Sequence, residues 1–149
     1  MKFRFIWIGK TRNASWRSLQ EDYLVRLRHF LKCEVTEIRD SSPPDPEIDS
    51  KRILDSLNPN AFVTVLDASG NQPSSQQIAD LIEEWQSRGL KEVCFVIGGA
   101  SGLSTAVGRR ANHMLSLSFL TFTHEMARVI LLEQLYRGYS MLKGFPYQK

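Results

Sequence analysis

The apolar positions of this chain change period several times. Residues 2–8 (KFRFIWI) put Phe3, Phe5 and Trp7 on one side and Ile6 and Ile8 on the other, which predicts a strand buried on both faces near its end. A turn follows from Gly9 to Asn13 and carries Lys10 and Arg12. Ser15 is the expected N-cap of a helix whose Trp16, Leu19, Tyr23, Leu24 and Leu27 fall on one stripe, with His29 near its end. Residues 33–38 (CEVTEI) alternate as a short strand. The consecutive prolines Pro43 and Pro44 make residues 40–46 a connecting loop, and a short helix covers 47–57.

From Ala61 onward strands and helices alternate. A strand over 61–67 ends at Ala68, Ser69 and Gly70. The helix over 74–87 places Ile78, Leu81, Ile82 and Trp85 on one face. The near-continuous apolar run 92–97 (EVCFVI) stops at Gly98 and Gly99, as a central parallel strand should. Ser104 caps a helix to about residue 112, a strand covers 114–120, and Thr123 opens a long helix to about 142. The tail 144–149 (GFPYQK) has no helical pattern. Such alternation predicts an α/β fold with a mostly parallel sheet. Ligands of these sheets sit beyond the carboxyl ends of the strands, which singles out residues 67–70, 98–102 and 118–123.

Composition narrows the class. A chain of 149 residues supports a single domain, 1–149, with enough core to dispense with disulfides. Cys33 and Cys94 are far apart and lack metal spacing, so free thiols in a reducing, cytoplasmic compartment are expected. No apolar run is long enough for a membrane span and residues 1–20 do not read as a signal peptide. The net charge of +3 hides a segregation: +6 over residues 1–32, −7 over 33–92 and +4 over 93–149. Basic ends make a polyanion-facing surface if they meet in space, and are otherwise ordinary solvated charge.

Few segments can carry chemistry. IGGASGLS (97–104) links a strand to a helix, and its glycines let backbone approach a ligand; the dinucleotide and P-loop signatures are absent. His29, His113 and His124 have no metal-ligand spacing, so no metal is expected. His124 sits in the first turn of the last helix, where the macrodipole disfavours imidazolium and leaves a neutral ring able to accept a proton; a structural role is the alternative. The last helix is apolar on nearly all sides, which calls for a second buried face, either as a central helix of the domain or, as preferred here, in a homodimer.

Taken together, VTVLDASG, IGGASGLS, LSLSFLTFTHEMARVILLEQLYRGYSMLKG and the PYQK end resemble the RlmH-type methyltransferases of the SPOUT superfamily, over essentially the whole chain and most specifically from residue 93. The resemblance implies a deep trefoil knot in the C-terminal part, a rare exception to chain topology. It also implies a homodimer paired through the last helix, and S-adenosylmethionine as methyl donor to N3 of a pseudouridine in large-subunit ribosomal RNA on the ribosome. Carried over, Leu66, Asp67, Gly99, Ser118, Phe119, Leu120, Thr121, Phe122 and Thr123 hold the cofactor. His124 assists loss of the N3 proton, and Tyr147 packs on or hydrogen-bonds the base. Lys10, Arg12, Arg17, Arg128 and Lys149 hold RNA phosphates. The chain departs from the family at Thr123, where a proline is usual, and at Gln148, where a histidine is; glutamine cannot take up a proton in histidine's place. A SPOUT enzyme of transfer RNA and a non-catalytic ribosome-binding protein are the other functions compatible with the sequence.

Overall fold

A computed structural model describes residues 1–147. The period-two segments form β1 (Lys2–Ile8), β2 (Lys32–Ile38), β3 (Phe62–Asn71), β4 (Glu92–Ile97) and β5 (His113–Leu115). All pair in parallel in the order β2-β1-β4-β3-β5, so every carboxyl end points to one rim. Parallel neighbours need crossovers. These contain α1 (Ala14–Leu27), α2 (Pro46–Ser56), α3 (Ser75–Ser87) and α4 (Thr105–Arg110), and α5 (His124–Lys143) closes the chain.

Side-chain alternation sorts the sheet into two cores. Phe3, Phe5, Trp7, Phe95 and Ile97 pack under α1, α3 and α5, meeting Leu24, Trp85, Leu131, Leu135 and Tyr139. Phe5 stacks on Phe95 with ring centroids 5.4 Å apart. The opposite face sets Ile6, Ile8, Val63, Val65, Cys94 and Val96 against Ile53 of α2 and Val107 of α4. Each fully buried aliphatic or aromatic side chain contributes about 1.5–3 kcal/mol, which makes β1 and β4 the fold's anchor. Both thiols are buried and free, and burial pushes each up to about 12.

Several expectations are corrected. Asn13, not Ser15, caps α1: its Oδ1 accepts from the N–H groups of Ser15 and Trp16. Leu19 faces solvent at 41% exposure, because the inward stripe runs through Gln20, Leu24 and Leu27. Ser104 makes no side-chain cap to α4, which ends at Arg110 where Ala111 turns extended. The strand expected over 114–120 pairs only through Leu115. Ser116 N–H donates to Asn71 O, and the chain then leaves the ladder to build a cleft wall. The apolar circumference of α5 is largely met within the chain, because α5 packs against both α1 and α3. Contact with α3 is close: a Cβ on Gly138 would stand 2.9 Å from Ile82 Cδ1. Among the described residues no helix is long and apolar enough to cross a membrane.

Candidate active site

Three chain segments converge at the rim beyond β3, β4 and β5. Leu66 and Asn71 both align with Leu115, so Asp67 to Gly70 bulge out of the ladder. The Asp67 carboxylate accepts from Ser69 N–H and Oγ–H, each at 2.8 Å, and these bonds hold it below the usual carboxylate range. After β4, Gly102 N–H donates to Gly99 O at 3.1 Å and closes a tight loop; Gly102 has φ 80°, where a side chain would be strained. Ser104 N–H donates to Ser50 Oγ at 2.8 Å, tying the loop's end to α2. The third segment follows β5. Ser116 Oγ donates to Ser118 O and Leu120 N–H to Ser118 Oγ, fixing the turn that leads into α5. Thr123 Oγ1 accepts from Met126 N–H as the N-cap.

Between these segments lies a cleft of about 630 Å³, within the usual range of a small-molecule site. Its walls are mostly apolar, including Leu66, Ile97, Leu103, Leu115, Leu117 and Phe122. Asp67 is the one carboxylate among the described lining residues, and His124 stands at the helix end of the wall. Apolar walls suit a flat purine, and a single ionised carboxylate suits a cationic group such as a sulfonium. The cleft's chemistry therefore fits S-adenosylmethionine. No group of three or more His, Cys, Asp or Glu among the described residues is placed to hold a metal ion.

Eight of the nine expected cofactor residues line this cleft: Leu66, Asp67, Gly99, Ser118, Leu120, Thr121, Phe122 and Thr123. Phe119 does not; its ring turns outward and is 78% exposed. Gly99 contributes backbone to the wall, and a Cβ there would stand 3.1 Å from Ile8 Cγ2, a tight contact with β1. Ala127 was not expected. It lies three residues after His124, on the same helix face, and that spacing could have found it.

One further assignment, Arg128, fails on geometry. Arg128 is fully buried and cannot present itself to a phosphate: Nη2 donates to Ile8 O at 2.6 Å and Nη1 to Thr11 Oγ1 at 2.9 Å. Tyr147 lies outside its own chain's cleft. Its hydroxyl donates to Glu133 Oε1 at 3.0 Å and meets the Tyr23 hydroxyl at 2.9 Å, about 13 Å along α5 from His124. Burial, Tyr23 and Glu133 together push that phenol up, so it stays protonated. Lys10, Arg12 and Arg17 are exposed, although Arg17 spends Nε and Nη2 on the carbonyls of Thr11 and Arg12. Lys149 and Gln148 lie outside the described residues.

Residues 1–148 match the family described as predicted SPOUT methyltransferase. The chain belongs to the SPOUT methyltransferase family. Similar SPOUT proteins include one from Oleidesulfovibrio alaskensis, 41% identical over 97% of this chain and 96% of that one. A second, from Desulfovibrio desulfuricans, is 40% identical over 97% and 95%, and a third, from Bacillus pumilus, is 35% identical over the full length of both. Each of these three is named ribosomal RNA large subunit methyltransferase H.

Proposed function

We propose that this SPOUT enzyme transfers the methyl group of S-adenosylmethionine to N3 of a pseudouridine in large-subunit ribosomal RNA, on the assembled ribosome in the cytoplasm. The observation that carries the proposal is the cleft itself: segments separated by tens of residues, singled out by strand ends, line one pocket with His124 on its wall. The shared name of the three relatives favours ribosomal over transfer RNA and a catalytic over a purely binding role.

The bound cofactor supplies an electrophilic methyl group on a sulfonium. The protein's part is then mostly positioning, which can supply about 7–11 kcal/mol of barrier reduction. Leu66, Leu115, Leu117 and Phe122 provide the apolar walls, and Asp67 the counter-charge. His124 would accept the proton from N3, freeing the electron pair there to take up the methyl group that the cofactor would supply. Lys10, Arg12 and Lys149 hold phosphates. The reading includes one catalytic domain over the whole chain and the family's trefoil knot, which the convergence of 66–70, 97–103 and 115–124 supports. It also includes a homodimer in which a second subunit's N-terminal loop or tail completes the site; the exposed apolar side chains of Leu19 and Val25 on α1 and the half-buried Ile130 and Tyr136 on α5 leave apolar surface for a partner.

Mass-spectrometric mapping of ribosomal RNA from cells with and without the gene tests this directly. A methylated pseudouridine should vanish with the gene and return when purified protein and S-adenosylmethionine are added to the unmethylated ribosomes. Methylation that persists in the deletion, or appears on transfer RNA instead, overturns the proposal.

A further inference from the structure

We propose that Arg128 is a positioning residue that docks the basic loop 9–13 onto the start of α5, and so sets where Lys10 and Arg12 meet RNA relative to the cleft. This rests on the proposal that those two side chains bind RNA.

The side chain is an expensive one to bury. Arg128 is wholly enclosed, its Nε has no partner, and among the described residues no carboxylate lies within ion-pair distance. Its guanidinium lies over the Trp7 ring, 4.9 Å from the centroid. An apolar side chain of similar volume would fill the same space without the desolvation cost. What the guanidinium adds is its fork. One arm holds the carbonyl of Ile8, the last residue of β1, and the other holds the hydroxyl of Thr11 inside the loop.

The same fork reaches the cleft. Ile8 is the residue on which Gly99 packs, and Ala127, next to Arg128 in sequence, lines the cavity. Glu125, on the same helical end, accepts from Asn13 N–H at 3.0 Å, and Arg17 Nε holds Thr11 O at 2.9 Å from the α1 side. The loop is therefore fixed at Thr11 and Asn13 while the side chains between and beside them stay free. Arg12 is 80% exposed, with only a 4.0 Å contact to Asp40. Phosphate-binding cations on an anchored loop keep a set distance from the methyl-transfer site.

The test compares R128M, K10A/R12A and the combined variant, using unmethylated large ribosomal subunits and S-adenosylmethionine. KM for the subunits is read across salt concentrations, with calorimetric cofactor affinity alongside. R128M should raise KM by roughly tenfold and lower the slope of log KM against log salt by up to about two, as K10A/R12A does, with cofactor affinity within about threefold. The combined variant should be no worse than K10A/R12A, since neighbours acting as one unit are not additive. Additive effects, an unchanged KM, or cofactor affinity lost in step overturn the inference. An unchanged KM and slope in K10A/R12A instead overturn the RNA role of the loop, and the inference with it. Should R128M not fold, T11V removes the hydroxyl that accepts from Arg128 and donates to Gln20 Oε1. It should give a smaller, equally non-additive rise in KM, and no rise overturns the proposal.

Discussion

Two arginines on α5, about 13 Å apart along its axis, sit in contrasting settings. Arg128, near the cleft, is sealed from solvent, unpaired by any described carboxylate, and pulled down to about 10 by burial against the opposing fields of Glu125, Glu37 and Asp40. Arg137 is half-buried, hydrogen-bonded to Glu133 and stacked over Tyr147, and its pKa moves the other way because of that Glu133 partner. One helix thus carries a desolvated cation that costs stability and orders a neighbouring loop, and a paired cation that fastens the tail at little cost. Charge alone does not distinguish them; what surrounds each guanidinium does. One end of the helix borders the cleft and the other holds Tyr147.

That contrast can be broken most sharply at His124. Replacing it with alanine should cut kcat by about 10²–10⁴-fold, as loss of a general base does, while thermal unfolding stays near wild type. Retained kcat would move proton acceptance elsewhere in the cleft. At the other end, Tyr147→Phe removes the hydroxyl that bridges Tyr23 and Glu133 but keeps the ring. It should cost about 1 kcal/mol in denaturant unfolding and leave kcat nearly unchanged. A kcat loss comparable to that of His124→Ala would put the phenol at the reacting base and erase the division of labour.

The smallest expected effect is in pH. Burial raises the Glu125 carboxyl, but the N–H groups of Asn13 and Arg12 and the nearby His124 and Arg128 outweigh it and hold the group below its ordinary 4.5. A depressed carboxyl contributes stability that is complete above the unfolded value and lost as pH falls through the folded one. Protection of the Asn13 amide against hydrogen exchange should therefore decline as the solution is acidified below about 4.5 in the wild type. In Glu125→Gln it should be nearly flat. Parallel profiles would detach Glu125 from the loop.

Much of the architecture was legible in the sequence because burial leaves a periodic trace. β1 and β4 appear as written in KFRFIWI and EVCFVI, and the rule placing ligands beyond strand ends selects the segments that line the cleft. What failed has a common cause. Arg128 reads as a surface cation because sequence shows a charge and not its environment; only the tertiary meeting of α5 with the end of β1, 120 residues earlier, buries it. Leu19 reads as buried from its place on an apolar stripe and Phe119 as a cofactor contact from the family resemblance, yet a helical register and a turn expose them. The strand expected to Leu120 stops at Leu115 because β3 ends at Asn71, the residue aligned with Leu115, and no local pattern in 114–120 records that.

Strand order also sets a timetable during synthesis. β1 leaves the ribosome before the other four strands described, yet one of its two neighbours, β4, lies about ninety residues downstream, with Lys2 aligned to Glu92. At about 5–20 residues per second that interval lasts on the order of ten seconds. Through it Phe3, Phe5 and Trp7 have a β2 partner available but no completed roof. The nascent chain therefore carries its most aggregation-prone edge from the outset, and escapes that state only once residues 92–97 emerge.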